Sequence, residues 1–330
     1  MAMPSRSVRV LVGLVLLPLL VLLAWGLLHL IRGGTELPPP KWTEADLVPL
    51  PPDADNAWYL MGPLEQMPEL TIDSELWDDS VPFPEEAWAS VDAELARPEV
   101  QALLSTVPAV LERPYLAPPD MLDFAHLDVL RMQQWRLWVG LSLNRTLAQD
   151  PESAARILSK LFPLWIECAN SSRGAITFVL CASGAKRDLD LMVRSAERLL
   201  RTGDARSLEL LRSAVQDTPP ISSDNLMTAD YILEYRKLDS MTSNLDGFQV
   251  DFKETLNELD AFFEPDQAEV LCAARAESWR HPLYEYNGAG KRAAKAVAGF
   301  HCALLPSVLK ATKSVAQRRA RLLALLKPTG

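Results

Sequence analysis

An all-α fold follows from three observations. Leu, Ala, Glu and Arg dominate after the first thirty residues, while Tyr and Phe are few and β-branched runs are scarce, a balance that favours helix over sheet. Apolar residues recur at three- and four-residue spacing, most clearly between 150 and 201, which marks one face of a helix. Start and stop signals bracket those stretches: Asp150-Pro151-Glu152 as cap, first turn and favourable charge, Gly203 as a terminator, Pro219-Pro220 as a break.

The first element is the run at 10–31, VLVGLVLLPLLVLLAWGLLHLI, in which His29 is the one ionisable side chain. A helix crossing a bilayer core needs roughly twenty consecutive apolar residues. Arg6 and Arg9 precede the run, no small-residue cleavage site closes it, and the first cysteine is Cys168, too late for a lipoprotein signal. Pro18 is tolerable, because prolines occur in membrane helices. The expectation is an uncleaved anchor at 1–34, with a cytoplasmic head, passing once through the inner (cell) membrane at 10–31. The rest of the chain is then extracytoplasmic.

Residues 35–82 carry Pro38-Pro39-Pro40, Pro49 and Pro51-Pro52 among acids, and read as a semi-stiff, proline-rich acidic spacer leading into an irregular segment. Residues 83–330 form the helical domain. Its elements are predicted at 84–97, 98–113, 120–149, 151–170, 175–201, a short helix capped by Asp204 and ended by Pro219-Pro220, then 224–244, 253–263, 265–279 and 287–326, the last able to bend at Pro306. Its inward stripes are Leu127, Leu130, Gln134, Leu137, Leu141 and Leu147, then Ala154, Ile157, Leu158, Leu161, Leu164, Trp165 and Cys168, then Leu189, Met192, Val193, Ala196, Leu199 and Leu200. Short loops make antiparallel neighbours, so the helices should stack as irregular, solenoid-like αα-hairpins.

The order of anchor, spacer with Asp55-Asn56-Ala57-Trp58-Tyr59-Leu60, helix, Gln149-Asp150-Pro151-Glu152-Ser153-Ala154, Leu-rich helix and basic final helix opening at Asn287-Gly288-Ala289-Gly290 resembles uncharacterised membrane-anchored helical proteins of bacteria. Their central hairpin is similar to tetratricopeptide-type helix pairs. The resemblance implies fold and location and brings no activity with it.

No catalytic, cofactor or metal constellation is read from the chain. Gly288-Ala289-Gly290-Lys291 lacks the earlier glycine and the Ser or Thr of a phosphate loop. Ser307-Val308-Leu309-Lys310 has the spacing of a serine activated by a lysine, without the companion motifs. His126, His281 and His301 form no zinc motif, and His301 and Cys302 point about 100° apart on a helix. Asp78-Asp79 and Glu85-Glu86 could flank a glycosidic bond, but acid pairs in an acidic segment are usually surface. The tryptophans at helical spacing read as core.

Charge is unevenly spread. Residues 35–150 hold 21 acids and 6 bases, whereas 287–330 hold 9 bases and no acid. The acidic first half excludes a general nucleic-acid binder. The basic last helix is expected to dock through its apolar stripe, leaving Arg318, Arg319, Arg321 and Lys327 to meet lipid or a partner. With a turn near Asn287, Cys272 and Cys302 lie at equal distance from it, so a Cys272–Cys302 disulfide is expected; Cys168 and Cys181, offset by four and nine from Ser172, should differ in height by roughly 7 Å. The function these features suggest is a non-catalytic, membrane-tethered scaffold binding another protein in the bacterial envelope. The alternative is an envelope hydrolase acting on wall glycan through carboxylates converging in a cleft.

Overall fold

A computed structural model describes residues 19–21, 23, 24, 27, 36–62, 67–69, 87–117, 128–242, 250–274 and 287–327. Among them are twelve α-helices and no β-strand, with one isolated bridge between Asn56 and Tyr115. They are α1 (Trp88–Leu95), α2 (Pro98–Leu104), α3 (Val107–Leu111), α4 (Asp128–Gln149), α5 (Pro151–Ser171), α6 (Ala175–Thr202), α7 (Ala205–Asp217), α8 (Asp224–Thr242), α9 (Phe252–Phe262), α10 (Pro265–Ala274), α11 (Gly288–Val297) and α12 (Gly299–Leu325). No helix among the described residues is long and apolar enough to cross a membrane. Most of the expected anchor at 10–31 lies outside them. Its described members Leu19, Leu20, Val21, Leu23, Ala24 and Leu27 are helical and exposed.

The helices divide into two compact units. The first joins the described residues of Met1–Ala45 to Tyr231–Leu305; the second joins Asp46–Asp230 to Pro306–Gly330. The borders fall inside α8 and α12, so the single helical domain expected at 83–330 is two units.

The second unit is built on α5. Asp150 caps it by accepting from the Ser153 N–H at 3.0 Å, and Pro151 fills the first turn, where its missing N–H costs nothing. Its stripe of Leu158, Leu161, Leu164, Trp165 and Cys168 is buried, and α6 and α7 both pack against it. Trp165 meets Trp135 of α4 at a centroid distance of 6.1 Å. Gly184 of α6 lies directly under the Trp165 ring, which a Cβ there would overlap. At Gly203, φ is +74°, a left-handed turn that ends α6 without a Cβ penalty, and Asp204 then caps α7 through the Ser207 N–H.

Three expectations change here. The stripe of α4 is partly rotated: Leu141 and Leu147 are buried as expected, but Leu130 is exposed and Gln134 and Leu137 are half-buried, while Met132, Trp135, Trp138 and Val139 point inward; Leu127 lies outside the described residues, and on α6 the expected inward Leu200 is exposed. Indole rings carry the largest apolar area, so they take the core positions. The helix expected at 98–113 is interrupted at Ser105–Thr106, because Pro108 has no N–H to give and its ring opposes the carbonyl of Leu104. The final helix breaks at Ala298, ahead of the weak helix former Gly299, and runs unbroken past Pro306.

The expected spacer is packed chain over 36–62. Pro38 accepts a hydrogen bond from the Tyr235 hydroxyl at 2.9 Å, the Lys41 N–H donates to the Tyr231 hydroxyl, and Glu44 pairs with Arg236. In the second unit, the Val48 N–H donates to Asn225, whose side-chain amide also donates to the last carbonyls of α5, at Ser171 and Ser172. Asn56 bonds both the N–H and the carbonyl of Ala117, and Ala57, Trp58 and Met61 are buried. The stretch is not uniformly extended: it holds three short 3-10 helices, Glu44–Asp46, Asp53–Asp55 and Ala57–Leu60, and aromatic hydroxyls and side-chain amides satisfy backbone groups between and beside them.

Candidate functional site

All four cysteines are paired. Cys272 of α10 and Cys302 of α12 are joined, with their Cα atoms 5.0 Å apart. Cys168 of α5 and Cys181 of α6 are joined as well, at 5.8 Å. This pair departs from the expectation of a 7 Å offset about Ser172: from the helix ends, Cys168 lies three residues before Ser171 and Cys181 six after Ala175, so the difference in height shrinks to about 4–5 Å. Cys302 is thus no nucleophile for His301, which instead stacks on Phe263 at 4.2 Å.

The basic end of α12 is largely engaged. Arg318 reaches Asp190 of α6 with its Nε 2.9 and 2.8 Å from the two carboxylate oxygens. Arg319 donates to the carbonyls of Val215, Thr218 and Pro219, closing the end of α7. Arg212 holds the Leu326 carbonyl from the other side. Arg321 and Lys327 are exposed. Buried Val308, Val315, Leu322 and Leu326 fasten the helix through its apolar face.

The motifs weighed above resolve into structure. Gly288–Lys291 opens α11 behind Asn287, a left-handed residue whose side-chain Oδ1 accepts from the Asp251 N–H at 2.9 Å. Lys291 lies 3.3 Å from Glu254, and a Cβ on Gly290 would overlap Thr255 and Asn287, so this turn is a packing junction. Ser307 and Lys310 do share a cleft of about 280 Å³ with Lys186, but both are exposed, whereas a lysine acting as a base is ordinarily desolvated. Trp58, Trp135, Trp138 and Trp165 are buried. Trp77, Trp279, His126, His281, Asp78-Asp79 and Glu85-Glu86 lie outside the described residues. No group of three or more metal-binding side chains occurs among the described residues.

Two features were not anticipated. A cleft of about 550 Å³ in the second unit is lined by Leu111, Arg113, Lys160, Pro163 and Glu167, among others. Burial raises the Glu167 carboxyl above its usual range, opposed by hydrogen bonds from the Leu116 N–H and the Ser171 hydroxyl. The first unit holds an open cleft of about 570 Å³ lined by Leu233, Arg236, Lys237, Met241, Val297 and Phe300, among others. Neither has a sequence motif, because each is assembled from residues far apart in the chain.

The first unit also holds a tyrosine and carboxylate cluster that fastens residues 38–44. Burial pushes the Tyr231 phenol well above its usual range, against the Lys41 N–H; the hydroxyl donates to Asp260 at 2.8 Å. Burial also raises Asp260, opposed by that hydrogen bond and by the Lys41 charge. Lys41 in turn reaches Glu264 at 2.5 Å. These groups are saturated by one another, which suits a clasp. No protein-family model, no curated protein and no solved structure matches this chain.

Proposed function

We propose that the chain is a single-pass, membrane-tethered helical scaffold whose bulk lies on the extracytoplasmic side, where it binds another envelope protein. The observation that carries this reading is the pairing of all four cysteines. Disulfides persist in oxidising compartments and are rare where glutathione and thioredoxin keep thiols reduced. The exposed apolar residues Leu19, Leu20, Val21, Leu23 and Leu27 add to it, since such a surface on a helix calls for lipid or protein around it. Successive packing of α5 with α6 and α7 agrees with an irregular hairpin stack of the tetratricopeptide-like kind.

A binding role is favoured by where the carboxylates are spent. Asp150, Asp204 and Asp251 cap helices, and Asp190 and Glu264 close ion pairs. Glu167 is the group the hydrolase alternative would use, yet the described residues lining its cleft include no second carboxylate. Glycoside hydrolysis generally takes two.

The test has two arms. Protein trapped in acid from intact cells should resist alkylation at all four cysteines until reduced; four reactive thiols would place the body in a reducing compartment and overturn the location. A photocrosslinker at Leu111, in the Glu167 cleft, should then give one discrete protein adduct in membranes. Turnover of wall glycan by the purified chain, lost in Glu167→Gln, would replace the scaffold with the hydrolase.

A further inference from the structure

The 280 Å³ cleft of Lys186 and Lys310 lies within the second unit, between one face of α6 and one face of α12. Ser183 and Lys186 are three positions apart on α6; Ser307, Lys310 and Ser314 follow the same helical spacing on α12. The polar lining is a set of donors. Arg136 donates to the Ser183 hydroxyl at 3.3 Å, and Arg318 donates to the Ser314 hydroxyl at 2.7 Å. A hydroxyl that accepts from a guanidinium keeps its own proton to give. Thr312, on the same helix, spends its proton on the Val308 carbonyl, whereas Ser183, Ser307 and Ser314 donate to no protein acceptor. Neither lysine has a carboxylate partner. The acids that follow Lys186 on α6 are committed elsewhere: Asp188 is buried against Arg187, and Asp190 holds Arg318. Helix α12 carries no acid at all.

We propose that this cleft binds a phosphate monoester. Two ammonium groups, one from each wall, match the charge of about −1.5 to −2 that such a group carries at neutral pH. Its three terminal oxygens can take up the lysines and the three serine hydroxyls together, where a carboxylate offers two oxygens and one charge. Exposure, which argues against Lys310 as a base, keeps both lysines charged and so suits an anion site. Lysine binds phosphate as a point charge, and the hydroxyls supply direction. The volume lies just below the usual range for ligand pockets, about 300–1,000 Å³, so the cleft fits the phosphate and little beyond its ester carbon. The proposal goes beyond the scaffold reading and does not depend on the tether.

The test uses the full chain in maltoside micelles near pH 8, with glycerol phosphate as the probe and its phosphorus NMR line width as the readout. Broadening should saturate, and inorganic phosphate should reverse it while acetate does not. Lys186→Gln and Lys310→Gln should each weaken binding about tenfold, and Ser307→Ala about threefold, because hydrogen bonds to a charged group are the strong class. Lys313→Gln removes the same charge from an exposed position of α12 outside the cleft and should leave the affinity unchanged. Absence of saturable broadening overturns the site. An equal loss in Lys313→Gln does so too, since it would mean diffuse attraction to a basic helix, and equal reversal by acetate overturns the choice of phosphate. Mixed micelles then separate the sources of the ester. If phosphatidic acid displaces the probe where phosphatidylcholine does not, the phosphate is borne on a lipid headgroup. If neither displaces it, the ligand is a soluble ester; either result upholds the site.

Discussion

The two units solve one problem by different means. The second buries a continuous apolar seam in which Leu158, Leu161, Phe162 and Trp165 of α5 meet Trp135 of α4 and the small face of α6. The first relies more on tied contacts: the Cys272–Cys302 bond, the Asn287 junction joining α9 to α11, and the clasp of Tyr231 and Tyr235 on residues 38–41. The second unit carries a disulfide too, Cys168–Cys181, but between long helices whose wide apolar stripes bury much area of their own. Short helices such as α9, α10 and α11 bury less each, and crosslinks or hydrogen-bonded junctions make up the difference.

That contrast breaks most visibly at Trp165. Trp165→Ala removes the ring over Gly184 and leaves a cavity, which should cost about 3–5 kcal/mol. Hydrogen exchange should accelerate throughout α5 and α6 and change less in α9 and α11. Equal acceleration in both units would show that they open as one. Cys272→Ser is the mirror experiment. Opening a loop of 30 residues should cost about 3–4 kcal/mol by the chain-entropy account, with faster exchange confined to α9–α11. The clasp is finer: Tyr235→Phe deletes one hydrogen bond to Pro38 and should cost about 1 kcal/mol, read as earlier proteolysis between 36 and 45.

The smallest effect is one of pH. Burial raises the folded-state pKa of Glu167 above its unfolded value, so the ionised carboxylate is a liability in the folded state. Stability from this group is therefore recovered as pH falls through the raised pKa and is complete below the unfolded pKa; it is absent well above both. Glu167→Gln should melt higher than the native chain near pH 8, with the gap narrowing toward pH 4. A gap that stays constant over that range would mean the carboxyl is not perturbed.

Helix was readable because its signals are local. Asp150, Pro151, Gly203 and Asp204 act within a turn of themselves and stand where the sequence puts them. The rotation of α4 was not readable, since Leu137 and Trp138 are both apolar and only a partner decides which turns inward. Arg318 and Arg319 looked free for the same reason: Asp190 and the carbonyls of α7 lie more than a hundred residues away. The prolines of 36–52 forecast an extended chain, but nothing local announces the 3-10 turn at Glu44–Asp46 or the grip of Tyr231 and Tyr235. Both clefts share that long-range origin.

The way the chain threads its two units fixes an order of assembly. Residues 46–230 are interposed between the two parts of the first unit, and 306–327 come back to the second only after the first is complete. A chain emerging from its amino end can therefore pack α4 to α7 and close Cys168 to Cys181, thirteen positions apart, while the rest is still being made. The clasp on Pro38 must wait for Tyr235, and Cys272 must wait for Cys302. Completion of the first unit is thus a late event of maturation, timed by the carboxyl-terminal third of the chain.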